Sequence, residues 1–177
     1  NVVEPYQELM GALVESLDIK NGDVVLDAGA GTGNLGVKVG EKGASVVGLD
    51  SSEFGLALHK IKTPEAKLVV ASLLDPLPFP DNAFDKICSN NTIYTLPKEK
   101  RPQVFREFFR VLKPGGVIVV SNVVTGFSPF AIYKAHLSKS IEKRGALRTL
   151  AQAAQLLIPT IKMFYYNALI KKENRSG

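Results

Sequence analysis

VVLDAGAGTG, at residues 24–33, carries an apolar run into a glycine-rich bend within ten positions. Val24, Val25 and Leu26 read as a short buried strand, and Asp27 closes it. Gly29, Gly31 and Gly33 then fall at every second position. Glycine reaches backbone conformations closed to other residues and has no side chain to hold a ligand away. A strand that runs through such a turn into a helix makes a shallow seat for a nucleotide-like ligand. A tight strand-to-helix turn with no ligand would use the same residues.

A second acid narrows the ligand. Residues 44–50, ASVVGLD, form another buried strand, and Asp50 ends it 19 positions after Gly31. An acid in that place typically accepts hydrogen bonds from ribose hydroxyls. It also fits as a cap for a helix starting near Ser52, and the two roles are compatible. Gly31, Gly33 and Gly36 satisfy the dinucleotide spacing G-x-G-x-x-G. In a dinucleotide site, however, a helix N-terminus binds a pyrophosphate. The Asp27 carboxylate would repel that group and suit a ligand bearing an ammonium.

Strands and helices alternate along the first two thirds of the chain. Residues 4–17 read as a helix with Leu9, Leu13 and Leu17 on one face. Helices are expected near 34–42, from Ser51 or Ser52 to about Lys60, and over 98–112. Strands are expected at 45–50, 67–71, 84–89 and 117–124. Pro76, Pro78 and Pro80 make 75–82 a loop, and Pro114-Gly115-Gly116 a sharp turn. This alternation implies an α/β fold: a doubly wound, mostly parallel, Rossmann-like sheet with helices on both faces. Ligands in such folds sit beyond the carboxyl ends of the strands, where Asp27, Asp50, Ser72 and Asn90 all fall.

At these residues the chain resembles the class I S-adenosylmethionine-dependent methyltransferases, in their small-molecule and lipid-type branch. DAGAGTG at 27–33 is similar to their first motif, and VVGLD at 46–50 to their second strand and ribose acid. LPFPDNAFD at 77–85 and RVLKPGG at 110–116 are similar to later motifs, in the family's order and spacing. The resemblance covers about residues 1–125. It implies S-adenosylmethionine as cofactor and S-adenosylhomocysteine as product. Gly29 and Gly31 would admit the methionine portion, with Asp27 and the adjoining Ala28 near its ammonium. Asp50, followed by Ser51, would hold the ribose, and Ser72 and Leu73 would flank the adenine, Leu73 through its backbone N–H. The family often places an acid after its third strand, where this chain has Ser72, with Asp75 three residues on. Asn90 would bond the cofactor or line the acceptor site, unless it is a satisfied loop amide, and Tyr94 would shape the acceptor pocket or pack on the next helix. No Asn/Asp-Pro-Pro-aromatic motif follows the fourth strand, which argues against amino methylation of nucleic-acid bases.

No catalytic base stands out. His59 is expected in a helix remote from the strand ends, and His136 in the C-terminal region. Methyl transfer does not require a base, because alignment with an activated sulfonium supplies much of the acceleration. The single cysteine, Cys88, excludes an internal disulfide and reads as a packing residue. No Cys/His cluster has metal-ligand spacing, so no metal site is expected. No signal-peptide pattern or membrane span is evident, which makes a cytoplasmic location the default.

The net charge of +5 is unevenly distributed. Residues 1–125 carry 13 Lys+Arg and 15 Asp+Glu, and residues 126–177 carry 9 and 2. Two domains follow: a cofactor-binding core at 1–125, and a basic helical segment at 126–177 with helices over 129–144 and 146–172. Pro159 should kink the second. That segment would act as a lid, a packing element or a peripheral membrane contact. The family's closing helix and strand pair are missing before Gly177, so the chain is a fragment or its tail departs from the family. The expected function is methyl transfer to a small-molecule or lipid-like acceptor. A nicotinamide-dependent oxidoreductase and a non-catalytic binding module are the alternatives.

Overall fold

The structure, a computed structural model, describes residues 4–122. Its elements are α1 (Glu4–Ser16), β1 (Val24–Ala28), α2 (Asn34–Gly40), β2 (Ser45–Asp50), α3 (Glu53–Lys62), β3 (Lys67–Val70), β4 (Phe84–Asn90), α4 (Arg101–Val111) and β5 (Leu112–Ser121). The five strands form one parallel sheet in the order β3-β2-β1-β4-β5. The expected helices over 129–144 and 146–172, His136, and the segment 126–177 lie outside the described residues.

Successive strand side chains point to opposite faces, so each strand feeds two cores. On one face Val25 and Cys88 meet Met10, Leu13, Val14 and Leu17 of α1 and its end, and Leu35 and Val39 of α2. On the other, Leu26, Ala28, Leu49 and Ile87 meet Val104, Phe108 and Val111 of α4. Leu9 departs from the expected α1 face: it is 39% exposed, and Met10 takes the buried position. The helix presents a 10-13-14-17 stripe to the sheet, whose 3–4 spacing follows the helical period more closely than steps of four.

The connection from β3 to β4 crosses the α4 face as a loop, as its prolines required. Leu73 and Leu77 enter the core beneath α4, and Phe79 packs edge-on against Phe84. Arg110 donates to the carbonyls of Leu77 and Phe79 and to the Asp81 carboxylate, at 2.9–3.0 Å. Glu107, held below its ordinary pKa by the Arg110 guanidinium, accepts the Leu77 amide at 2.8 Å. Backbone groups that a helix would have satisfied internally are thus met by one ion pair.

Two boundaries differ from expectation. The helix expected over 98–112 opens with a 3₁₀ turn at Lys98–Lys100, and α4 begins where Pro102 fits its first turn. Leu112 already pairs with Phe84, and the register then jumps so that Lys86 faces Val117. The sharp turn at Pro114-Gly115-Gly116 therefore lies inside β5 as a break in its register with β4, with Gly115 at φ +77. Asp85 braces it, accepting Lys113 Nζ at 2.7 Å and the Val24 amide at 2.9 Å.

Phe108 and Phe109 separate buried from exposed area on α4, being 0% and 66% exposed. Phe108→Ala should cost about 3–5 kcal/mol, and Phe109→Ala less than about 0.5 kcal/mol, in urea unfolding monitored by circular dichroism.

Candidate ligand-binding site

The chain runs outward through β1, β2 and β3, then returns to β4 beside β1. That reversal opens a crevice beyond the carboxyl ends of β1 and β4. The glycine turn lies over it. The amides of Gly29 and Ala30 donate to the Leu49 carbonyl at 2.7 and 3.0 Å, folding the turn across the end of β2. The three glycines then do different things. A Cβ on Gly29 would overlap the Thr92 side chain, and one on Gly33 would overlap the His59 ring. A Cβ on Gly31 would meet nothing closer than Asp50 Oδ2 at 4.0 Å. Of the three, only Gly31 faces open space.

Asp50 braces that opening. Its Oδ2 accepts the Gly31 amide and its Oδ1 the Ser52 amide, each at 2.8 Å. Ser52, not Asp50, caps α3, its hydroxyl accepting the Gly55 amide at 3.1 Å. Ser51 lies exposed between them. Each carboxylate oxygen keeps a further lone pair for a ligand hydroxyl.

Asp27 belongs to β1 rather than closing it, since the strand continues to Ala28. Its side chain is 2% exposed and lies beneath α2, beside Gly36. Burial pushes the carboxyl up to about 7, against the opposing pull of the Gly36 amide and the Cys88 thiol. The thiol lies 3.8 Å from Oδ1 and is itself pushed well up by burial. Oδ2 has no hydrogen-bond partner. Ala28 is fully buried, and its carbonyl accepts the Ser89 hydroxyl at 2.7 Å.

The expectation that His59 is remote from the strand ends is overturned. Its side chain is 3% exposed and occupies the space left by Gly33, Gly36 and Gly48. The inward stripe of α3 runs through Gly55, Leu56 and His59, which carries the ring under the glycine turn. Burial, then Lys62 and Lys60, hold its pKa below the ordinary histidine value.

Ser72 Oγ accepts the Leu74 amide at 3.1 Å, a side-chain turn two residues past β3. The Leu73 side chain enters the core. Asn90 Oδ1 accepts the Ser121 hydroxyl, and its amide nitrogen approaches Met10 Sδ at 3.9 Å. Its side chain is therefore largely engaged by β5 and α1. Thr92 was missed from the sequence. Its hydroxyl lies 3.2 Å from the Asn90 carbonyl and 3.4 Å from the Gly29 carbonyl, which joins the loop after β4 to the glycine turn. No local pattern marks it, because its partner is 63 residues away. Arg101 fixes the same loop by donating to the carbonyls of Tyr94 and Leu96. Tyr94 is half exposed there.

A separate groove of about 590 Å³ lies between α2 and α3, with Glu41, His59, Lys62 and Lys67 in its wall. Asp50, Ser72 and Asn90 do not line it. Among the described residues, no group of three or more His, Cys, Asp or Glu side chains could hold a metal ion. Nor is any described helix long and apolar enough to cross a membrane.

Gly33→Ala should cost roughly 2–4 kcal/mol of stability, since it adds overlap with His59 to left-handed strain, whereas Gly31→Ala should cost only about 1–2 kcal/mol. Urea unfolding of both variants checks this. Asp27 has a folded pKa above its unfolded value, so its contribution is fully present below about pH 4 and is lost as pH rises to about 7. Asp27→Asn should therefore gain stability over the wild-type protein between those values and hold the gain above them. Unfolding at about pH 4.5, 6 and 8 measures the difference.

The methyltransferase-domain family model matches residues 26–120. The chain is 39% identical over 114 residues to a demethylmenaquinone methyltransferase of Shouchella clausii, covering 60% of this chain and 47% of that protein. It is 35% identical over 137 residues to phosphoethanolamine N-methyltransferase 1 of Arabidopsis thaliana, covering 75% of this chain and 27% of that one. The chain thus spans about half, or less, of these curated relatives. The crystal structure of an S-adenosylmethionine-dependent methyltransferase from Mesorhizobium loti superposes with a TM-score of 0.56 at 29% identity, covering 65% of this chain and 52% of that one. The chain belongs to the class I S-adenosylmethionine-dependent methyltransferases.

Proposed function

We propose that this chain binds S-adenosylmethionine across the crevice beyond β1 and β4 and transfers its methyl group to a small-molecule or lipid-like acceptor. The observation that carries this is the open space at Gly31, braced by a carboxylate at the end of the neighbouring strand. Asp50 would accept the ribose hydroxyls with the lone pairs its backbone bonds leave free. Gly29 and Gly31 would admit the methionine portion, and the buried Asp27, flanked by Ala28, would balance its ammonium. Ser51 would lie beside the ribose. The Leu73 N–H and the Ser72 hydroxyl would meet the adenine edge. Asn90 and Thr92 would form the wall nearest the acceptor. Bound in this way, the cofactor supplies an already activated methyl, so the chain's own task is alignment and exclusion of water.

The glycine spacing alone does not favour a nicotinamide dinucleotide. Gly33 and Gly36 of that pattern are packed against His59 and Asp27 rather than open. A lipid-like acceptor draws support from the demethylmenaquinone relative. It also draws support from the charge of residues 126–177, which carry 9 Lys+Arg against 2 Asp+Glu. We read that segment as a unit distinct from the core at 1–125. It would touch an anionic membrane surface peripherally from the cytoplasmic side.

Calorimetric titration tests the reading. S-adenosylhomocysteine should bind and NADH should not; the reverse result rejects it. Asp50→Ala should weaken S-adenosylhomocysteine binding by roughly 2–3 kcal/mol in a folded protein, the scale of hydrogen bonds to a charged group. Unchanged affinity would remove Asp50 from the site. Co-sedimentation with anionic vesicles at low salt checks the membrane contact, and absence of binding there rejects it.

A further inference from the structure

Two buried side-chain atoms lack a hydrogen-bond partner among the described residues: Asp27 Oδ2 and His59 Nδ1. Both side chains abut the same glycine. The place a Cβ would take on Gly36 is 3.0 Å from Asp27 Oδ2 and 3.5 Å from His59 Cε1. Buried polar groups are normally satisfied by protein or by an ordered water, so two orphans around one side-chain-free position call for a shared partner. The surrounding groups do not supply it. The Gly36 amide pulls on the Asp27 carboxyl without closing a hydrogen bond to Oδ2, the Cys88 thiol approaches the other oxygen, and Asp50 is the charge acting on Asp27. Lys60 and Lys62, the charges acting on His59, are bonded elsewhere: Lys60 to the Ala66 carbonyl, Lys62 to the Thr32 carbonyl and Asn34 Oδ1.

We propose that one buried water bridges Asp27 Oδ2 and His59 Nδ1–H beneath Gly36, making His59 a positioning residue that solvates the carboxylate receiving the ligand's ammonium. The inference rests on the cofactor reading above. Burial, then Lys62 and Lys60, disfavour the His59 imidazolium, and the bridge places the ring proton on Nδ1. In the ligand-free protein the Asp27 carboxyl is protonated in a large fraction of molecules near neutral pH. When the ammonium arrives, the carboxyl O–H bond breaks and one proton passes to solvent. A carboxylate–ammonium pair remains, with the water donating to Oδ2. Ligand affinity then falls as pH drops below neutrality, because only the ionised fraction is competent.

The test is calorimetric titration of the full chain with S-adenosylhomocysteine between about pH 5.5 and 8.5, in buffers of different ionisation enthalpy. Wild-type affinity should be about tenfold weaker at pH 6 than at pH 8, with close to one proton released per ligand at the acid end. Asp27→Asn should flatten the profile. His59→Phe keeps a ring under Gly33 but removes the Nδ1–H. It should move the midpoint up by about half a pH unit or more, a severalfold loss of affinity near pH 7. His59→Asn, which keeps an N–H donor close to the Nδ1 position, should restore the wild-type midpoint. If His59→Phe does not fold, Gly36→Ala replaces it, since a methyl 3.0 Å from Asp27 Oδ2 crowds a water away from that oxygen and should produce the same upward shift. A midpoint unmoved in His59→Phe, or in Gly36→Ala where that variant stands in, overturns the proposal. So does a pH dependence that survives in Asp27→Asn. Failure of the wild-type chain to bind S-adenosylhomocysteine even at about pH 8 overturns the cofactor reading, and this inference with it.

Discussion

The structure around the site depends on close packing against the glycine turn. The turn is pinned at its first glycine by Thr92 from the loop after β4, and at its last by His59 from α3. Between them the Gly31 amide is drawn to the Asp50 carboxylate at the end of β2. Three elements distant in sequence thus converge on five residues of backbone. A bulkier residue at either end would displace a neighbouring element, not merely the turn. The middle position remains open because both flanking positions are filled.

Two carboxylates one strand apart are given opposite environments. Asp50 receives a backbone N–H on each oxygen and stays near the surface of the crevice. Asp27 lies inside the sheet–helix interface, where burial raises its pKa and Cys88 is a weak partner. A carboxyl in such a place resists ionisation until a cation compensates it. The contrast matches a zwitterionic ligand with sugar hydroxyls at one end and an ammonium at the other.

The opposite face of the sheet is held differently. No helix links β3 to β4, and the proline-rich loop that crosses there has few internal hydrogen bonds. Arg110 and Glu107, one turn apart on α4, take over that task for Leu77 and Phe79. Planar guanidinium geometry allows one side chain to reach two carbonyls and two carboxylates together. At the other end of α4, Arg101 performs the same service for the loop carrying Thr92 and Tyr94. One helix therefore sets both loops while its inner face, with Phe108 at its centre, packs on the sheet.

The sequence by itself determined the parallel sheet, the order of its elements, the positions of Asp50 and Asn90 at strand ends, and those of Asp27 and Ser72 within two residues of one. These follow from local signals: apolar runs of strand length, glycine and proline punctuation, and acids placed where strands stop. Only the tertiary structure decided what those residues touch. Ser72 is tied into its own turn, and Asn90 is engaged by Ser121 and Met10. His59 looked peripheral because its contacts, Gly33, Gly36 and Gly48, belong to other elements. Thr92 was silent for the same reason. Secondary structure is encoded by neighbours within a turn or a strand, whereas a contact across 63 residues, such as Thr92 with Gly29, exists only once the sheet has brought β1 and β4 side by side.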